Sequence, residues 1–191
     1  MPDGSHNDDT IGVDGYERKI EVKRYGRRPA DPARTLVVVL ASPPMTSGRQ
    51  TVSRLDMAAR HLNCDSVRIV NLLAERTIDV REIDVVGAIE DPWLAARPAI
   101  SSALREATLT LLAFGLTEPA GVARTHFRAQ IRWLQDEIIR NGLSEVIAFG
   151  GKPRHPSRWQ RLTARETNTM DFEAKCRGHY EQIEDEWWAR N

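Results

Sequence analysis

The residues best suited to chemistry crowd into one stretch, Gly150-Gly151-Lys152-Pro153-Arg154-His155-Pro156-Ser157-Arg158-Trp159. His155 lies between two prolines. An imidazole on stiff backbone can donate to a developing anion or shuttle a proton near neutral pH. The plainer reading is a structural histidine satisfied by local hydrogen bonds. From Lys152 to Arg165 there are five Lys/Arg and no acid. Such a cluster suits phosphate contact, with bidentate donation from Arg154 and Arg158 and a point charge from Lys152. Trp159 offers a flat face on which a base can stack. The competing reading is a solvated basic loop with a packing tryptophan.

Other candidates are more scattered. Asn71 ends an otherwise apolar run, where its carboxamide can read a base edge or tie down its own loop. Arg76 follows and is within reach of a phosphate, although an isolated arginine is more often simply exposed. Ser42-Pro43-Pro44-Met45-Thr46-Ser47-Gly48 supplies hydroxyls, Thr46 among them, and rigidity, but no carboxylate or thiol. No base stands near Ser42 in sequence, so a serine nucleophile is not indicated. Gly115 either lets a ligand approach the backbone or makes a simple turn. There is no P-loop and no G-x-G-x-x-G, and His126 has no partner ligands at metal spacing, so neither a cofactor nor a metal is expected.

The elements that must position these residues follow from hydrophobic periodicity. Thr35–Ala41, Ser66–Leu72, Leu109–Phe114 and Ser144–Phe149 are short apolar runs without strict alternation, as in parallel strands covered on both faces. Tyr16–Tyr25 alternates like an edge strand. Helical spacing covers Gln50–Leu62, Trp93–Ala107 and Glu118–Asn141, with a short helix at Arg81–Ala88. Pro98 falls either in the first turn of its helix or at a break, and Gly142 is placed as a C-terminal cap. This alternation predicts an α/β fold: three layers, α/β/α, around a central, mainly parallel four-stranded sheet. In such sheets ligands bind beyond the carboxyl ends of the strands, where Ser42–Thr46, Asn71, Gly115 and Gly150–Trp159 all fall.

Composition bounds the rest. The chain has 191 residues, 41% apolar and 28% charged, which is enough for one core. Residues 1–15 read as a disordered tail, 16–170 as a single α/β domain, and 171–191 as a charged segment, helical and packed on the domain. With 27 basic and 27 acidic residues, overall charge attracts no polyanion, so any such attraction must be local. Two cysteines without metal spacing fit a reducing, cytoplasmic setting. No apolar run reaches the roughly 20 residues that span a bilayer, so no membrane partner is expected.

From Thr35 to Trp159 the chain resembles domain-of-unknown-function family 1643, an uncharacterised family of bacterial and phage proteins. At the places of the family pattern N-P-S-x-A, V-N-L, A-W-G and G-x-P-R-H-P this chain reads Ser42-Pro43-Pro44-Met45-Thr46, Val70-Asn71-Leu72, Ala113-Phe114-Gly115 and Gly151-Lys152-Pro153-Arg154-His155-Pro156, the last being the most specific. The same order resembles the uracil-DNA glycosylase superfamily. That resemblance implies a glycosylase-like fold and a site that recognises a nucleobase in DNA. Asn71 would read the base edge, His155 would stabilise negative charge on the departing base, and Ser157 and Arg158 would contact phosphate. Met45 would replace the stacking aromatic. Ser42 stands where the superfamily carries a water-activating Asp or Asn, and a hydroxyl without a base beside it activates water poorly. Three readings follow: an N-glycosidic hydrolase with His155 and Ser42 as its catalytic residues, a non-catalytic nucleotide or nucleic-acid binding module, and an interaction protein docking through Trp187-Trp188.

Overall fold

A computed structural model of the chain describes residues 18–22, 32–164 and 169–183. The expected tail over residues 1–15 and the Trp187-Trp188 pair lie outside the described residues. In chain order the elements are β1 (Arg18–Glu21), β2 (Thr35–Leu40), α1 (Arg49–His61), β3 (Ser66–Asn71), α2 (Val80–Val86), α3 (Asp91–Arg105), β4 (Leu109–Leu112), α4 (Gly121–Arg140), β5 (Val146–Phe149), α5 (Trp159–Thr163), α6 (Phe172–Cys176) and β6 (Tyr180–Gln182). No described helix is long and apolar enough to cross a membrane.

The sheet corrects the expected strand count. It has six strands among the described residues, in the order β1-β3-β2-β4-β5-β6. The inner four are the expected ones and pair in parallel. β1 and β6 flank them in antiparallel pairings, so the sheet is mixed. β6 lies where a long helix is expected over Asp171–Arg190; the five-residue α6 takes only the start of that span. The open edge of β5 supplies a ladder for Tyr180–Gln182, and edge pairing overrides weak helical periodicity in so short a segment.

Alternation along β2 divides the interior. Val37 and Val39 enter one core with Trp93 and Ile100 of α3 and Phe127 and Ile131 of α4. Leu36, Val38 and Leu40 enter the other with Leu55 and Ala58 of α1 and Trp159 of α5. The result is helices on both faces of a buried sheet. Pro98 sits inside α3 rather than in its first turn, and the helix continues through it. α4 ends as its sequence predicts: Gly142 adopts φ 65°, Leu143 N–H donates to Ile138 O and Gly142 N–H to Ile139 O, capping the last carbonyls.

Candidate functional site

The chain leaves β2 toward β3 on one side, and β4 pairs with β2 on the other. The crevice between the carboxyl ends of β2 and β4 is therefore a topological switch point, where neighbouring loops diverge and leave space for a ligand. An open cleft of about 1190 Å³ lies at this end of the sheet. Ser42, Thr46, Asn71, Gly115, His155 and Ser157 all line it, so the structure brings together segments following all four parallel strands. Asn71 is buried at the end of β3, with its neighbours on the strand buried as well.

His155 is held by its own loop. Its Nδ1 accepts from Ser157 N–H at 3.2 Å and lies 2.8 Å from Ser157 Oγ. A ring nitrogen that accepts from a backbone N–H carries no proton in neutral imidazole, so the proton belongs on Nε2. Burial, then the nearby Arg158 and Arg54 cations, push the His155 pKa down to about 4. At neutral pH the residue is an uncharged donor lining the cleft. Ser157, expected at phosphate, is thereby engaged in orienting His155 as well as lining the cleft.

Cations surround this ring. Arg49, Arg76, Arg158 and Arg161 line the cleft and are exposed; Arg18 and Lys19 line it from β1, and Arg154 from the loop itself. Asp79 is the one acid among the described residues that line it, and its carboxylate caps α2 by accepting from Arg81 N–H and Glu82 N–H. A formally neutral chain thus gathers seven Lys/Arg against one acid on a single cleft. The N-terminus of α1 opens here as well: Gly48 and Arg49 line the cleft, and the first turn contains no acid. The free N–H groups there add to the positive potential.

Several expected site residues face elsewhere. Trp159 is fully buried, stacked on Phe149 with ring centroids 4.4 Å apart and planes 9° from parallel, and its Nε1–H donates to Arg154 O. It is a core residue and has no face for a base. Arg154 donates from Nη1 to Phe149 O at 2.8 Å and Gly150 O at 2.7 Å, so it ties the loop to the end of β5 while forming part of the cleft wall. Lys152 is half-buried and does not line the cleft. Met45 is 56% exposed and also lies outside the lining, so it is not placed to stack on a base there. Ser42 Oγ bonds Thr77 Oγ1 at 2.5 Å, and the two segments are joined further by Thr77 N–H donating to Pro43 O. Ser42 therefore has a hydroxyl partner, not a general base.

Two kinds of residue escape a linear reading. Arg54, from the middle of α1, donates to Pro156 O and to Gln160 Oε1, stapling the His155 loop to the helix. Its cation also lies over the Phe172 ring, 5.1 Å from the centroid. In sequence it is a charged residue on an amphipathic helix, indistinguishable from a solvated one. Arg18, Lys19 and Arg49 stand far from the basic loop in sequence and meet it only in the fold. Comparison with models of protein families, with curated proteins and with solved structures finds no match.

Proposed function

We propose that this chain is a nucleobase-recognising protein of the uracil-DNA glycosylase-like kind, which holds a base in the switch-point crevice and its phosphates on the basic rim. The observation that carries this reading is the convergence of Ser42, Asn71, Gly115 and His155 on one cleft. Those positions come from the four motifs through which the sequence resembles that superfamily. The Asn71 carboxamide can both donate to and accept from a base edge. The Nε2–H of His155 donates to a base carbonyl or ring nitrogen, and the surrounding cations supply attraction for phosphate that falls with added salt.

Recognition is better supported than hydrolysis. A glycosylase needs an activated water, and neither Ser42, bonded to Thr77, nor Asp79, capping α2, offers a free base. One observation favours cleavage as a second reading: a neutral donor held in a partly desolvated site can stabilise the negative charge of a departing base. In that case the N-glycosidic bond breaks, the base leaves as an anion facing His155, and water adds its oxygen to the sugar carbon while the proton it releases neutralises the departed base.

The test is a binding titration at low salt, run beside a glycosylase assay, with labelled DNA carrying uracil or other altered bases. Wild type should bind, His155→Ala should bind about tenfold more weakly, as expected for one lost hydrogen bond in a desolvated site, and Ser42→Ala should match wild type. Alkali-labile product from wild type and none from His155→Ala would establish the second reading. No binding to any of these DNAs would overturn the proposal.

A further inference from the structure

The cleft extends well past His155. β1 runs antiparallel to β3 with Arg18 opposite Ile69, so the first residues of β1 stand at the same end of the sheet as Asn71. Arg18 and Lys19 therefore line the cleft from β1, while Arg158 and Arg161 line it from the segment that follows β5. Between them lie the carboxyl ends of β3, β2 and β4. Four strand spacings make this path roughly 19 Å long. A single nucleotide beside His155 does not extend as far as Arg18 and Lys19, the latter also 3.4 Å from the Glu21 carboxylate. At the 3.4 Å phosphate spacing of a stacked strand, or twice that when extended, the path holds about three to six nucleotides.

The rim also carries two exposed apolar side chains. Ile78, after the β3 segment, is 70% exposed, and Leu116, after β4, is 53% exposed; both line the cleft. Their backbones are fixed, since Ile78 N–H donates to Glu82 Oε2 and the preceding Gly115 N–H to Pro153 O. Apolar side chains beside a row of cations match a strand whose bases have exposed flat faces and whose backbone is charged. In a duplex those faces are stacked inside and only phosphates and groove edges are presented.

Resting on the nucleobase-recognition reading above, we infer that the cleft is the path of an unpaired nucleic-acid strand. Arg18 and Lys19 form a phosphate subsite at the end remote from His155, and Ile78 and Leu116 form a lip against which bases stack. Seven Lys/Arg against one acid among the described lining residues favour a bound polyanion.

The experiment is fluorescence anisotropy on the full chain with dye-labelled oligothymidylates one to eight nucleotides long, as DNA and as RNA, and with a blunt hairpin duplex. Affinity should rise at least tenfold from one to four nucleotides and level off by about six. The log–log salt slope of the eight-mer should be about −2 or steeper, at roughly 0.7 per phosphate neutralised. The double variant Arg18→Glu/Lys19→Glu should bind the eight-mer at least tenfold more weakly, a larger loss than it shows for a single nucleotide. Leu116→Ser should weaken single-strand binding without changing the salt slope. Both variants alter exposed residues, and circular dichroism checks their folding. A single nucleotide bound as tightly as the eight-mer, or a hairpin bound more tightly than the unpaired strand, would overturn the strand path and leave nucleobase recognition standing. Failure of every length to bind would remove both.

Discussion

The loop after β2 and the loop after β5 have similar composition, with prolines, hydroxyl residues and a glycine of positive φ, and both open on one cleft. They differ in how their polar groups are engaged. In the β2 loop, Ser42 bonds across to Thr77, and the polar atoms of the two segments are directed at each other. In the β5 loop, the scaffold is supplied from behind: Trp159 is buried on Phe149, Arg154 bonds the end of β5, and Arg54 reaches over from α1. Support from behind leaves the His155 ring for the cleft. The lesson is that a rigid loop presents a reactive group when side chains other than that group carry its anchoring, and loses the group when it must itself serve as the anchor.

The largest test of this contrast is Trp159→Ala. Removing a fully buried ring from the core costs about 3–5 kcal/mol. Urea denaturation should show a loss of that size, and a loss under 1 kcal/mol would mean that the loop is not anchored through this ring. The next test is pH. Folding lowers the His155 pKa from the ordinary 6.5 to about 4. The unfolded chain therefore binds a proton that the folded chain refuses between those values. Stability contributed by neutral His155 is complete above about pH 6.5 and is lost as pH falls toward 4, an effect on the order of 3 kcal/mol. Wild type should lose more stability than His155→Gln between pH 7 and pH 4; equal losses would show that the ring is not held neutral.

The smallest test compares two glycines. Gly48 and Gly150 adopt nearly the same backbone, φ 61° and φ 63°. A Cβ on Gly48 would meet Pro44 Cγ at 3.2 Å, whereas on Gly150 it would fall 2.6 Å from Leu162 Cδ2 and 3.0 Å from Arg154 Nη1. Backbone strain being equal, Gly150→Ala should cost about 1 kcal/mol more than Gly48→Ala, because Arg154 Nη1 must shift from the carbonyls of Phe149 and Gly150 that it bonds. Denaturation midpoints measure the difference, and equal costs would place the two loops on the same footing after all.

The inner sheet was legible because Thr35–Leu40, Ser66–Asn71, Leu109–Leu112 and Val146–Phe149 are short, mostly apolar runs without strict alternation, a pattern set by burial on both faces, with Arg68 and Thr110 as buried exceptions. β6 was not, because Tyr180–Gln182 has one aromatic and two exposed polar residues and is made a strand by the edge of β5. Within the site, His155, Asn71 and the basic loop were visible by type and by position at strand ends. Which side of the loop each residue takes was not. Trp159 and Arg158 are adjacent, and only the Phe149 ring beneath decides that the tryptophan goes inward and the arginine outward. The Arg54 staple joins residues 102 positions apart, a distance at which no local pattern carries information.

The anchoring of the β5 loop also has an order in time. Gly150 N–H donates to His179 O, and the Tyr180 ring stands edge-on against both Phe149 and Trp159. A chain growing from its N-terminus can assemble β1 through β5 and the crevice between them before residues 179 and 180 emerge. The loop carrying His155 then gains its last supports only when β6 docks.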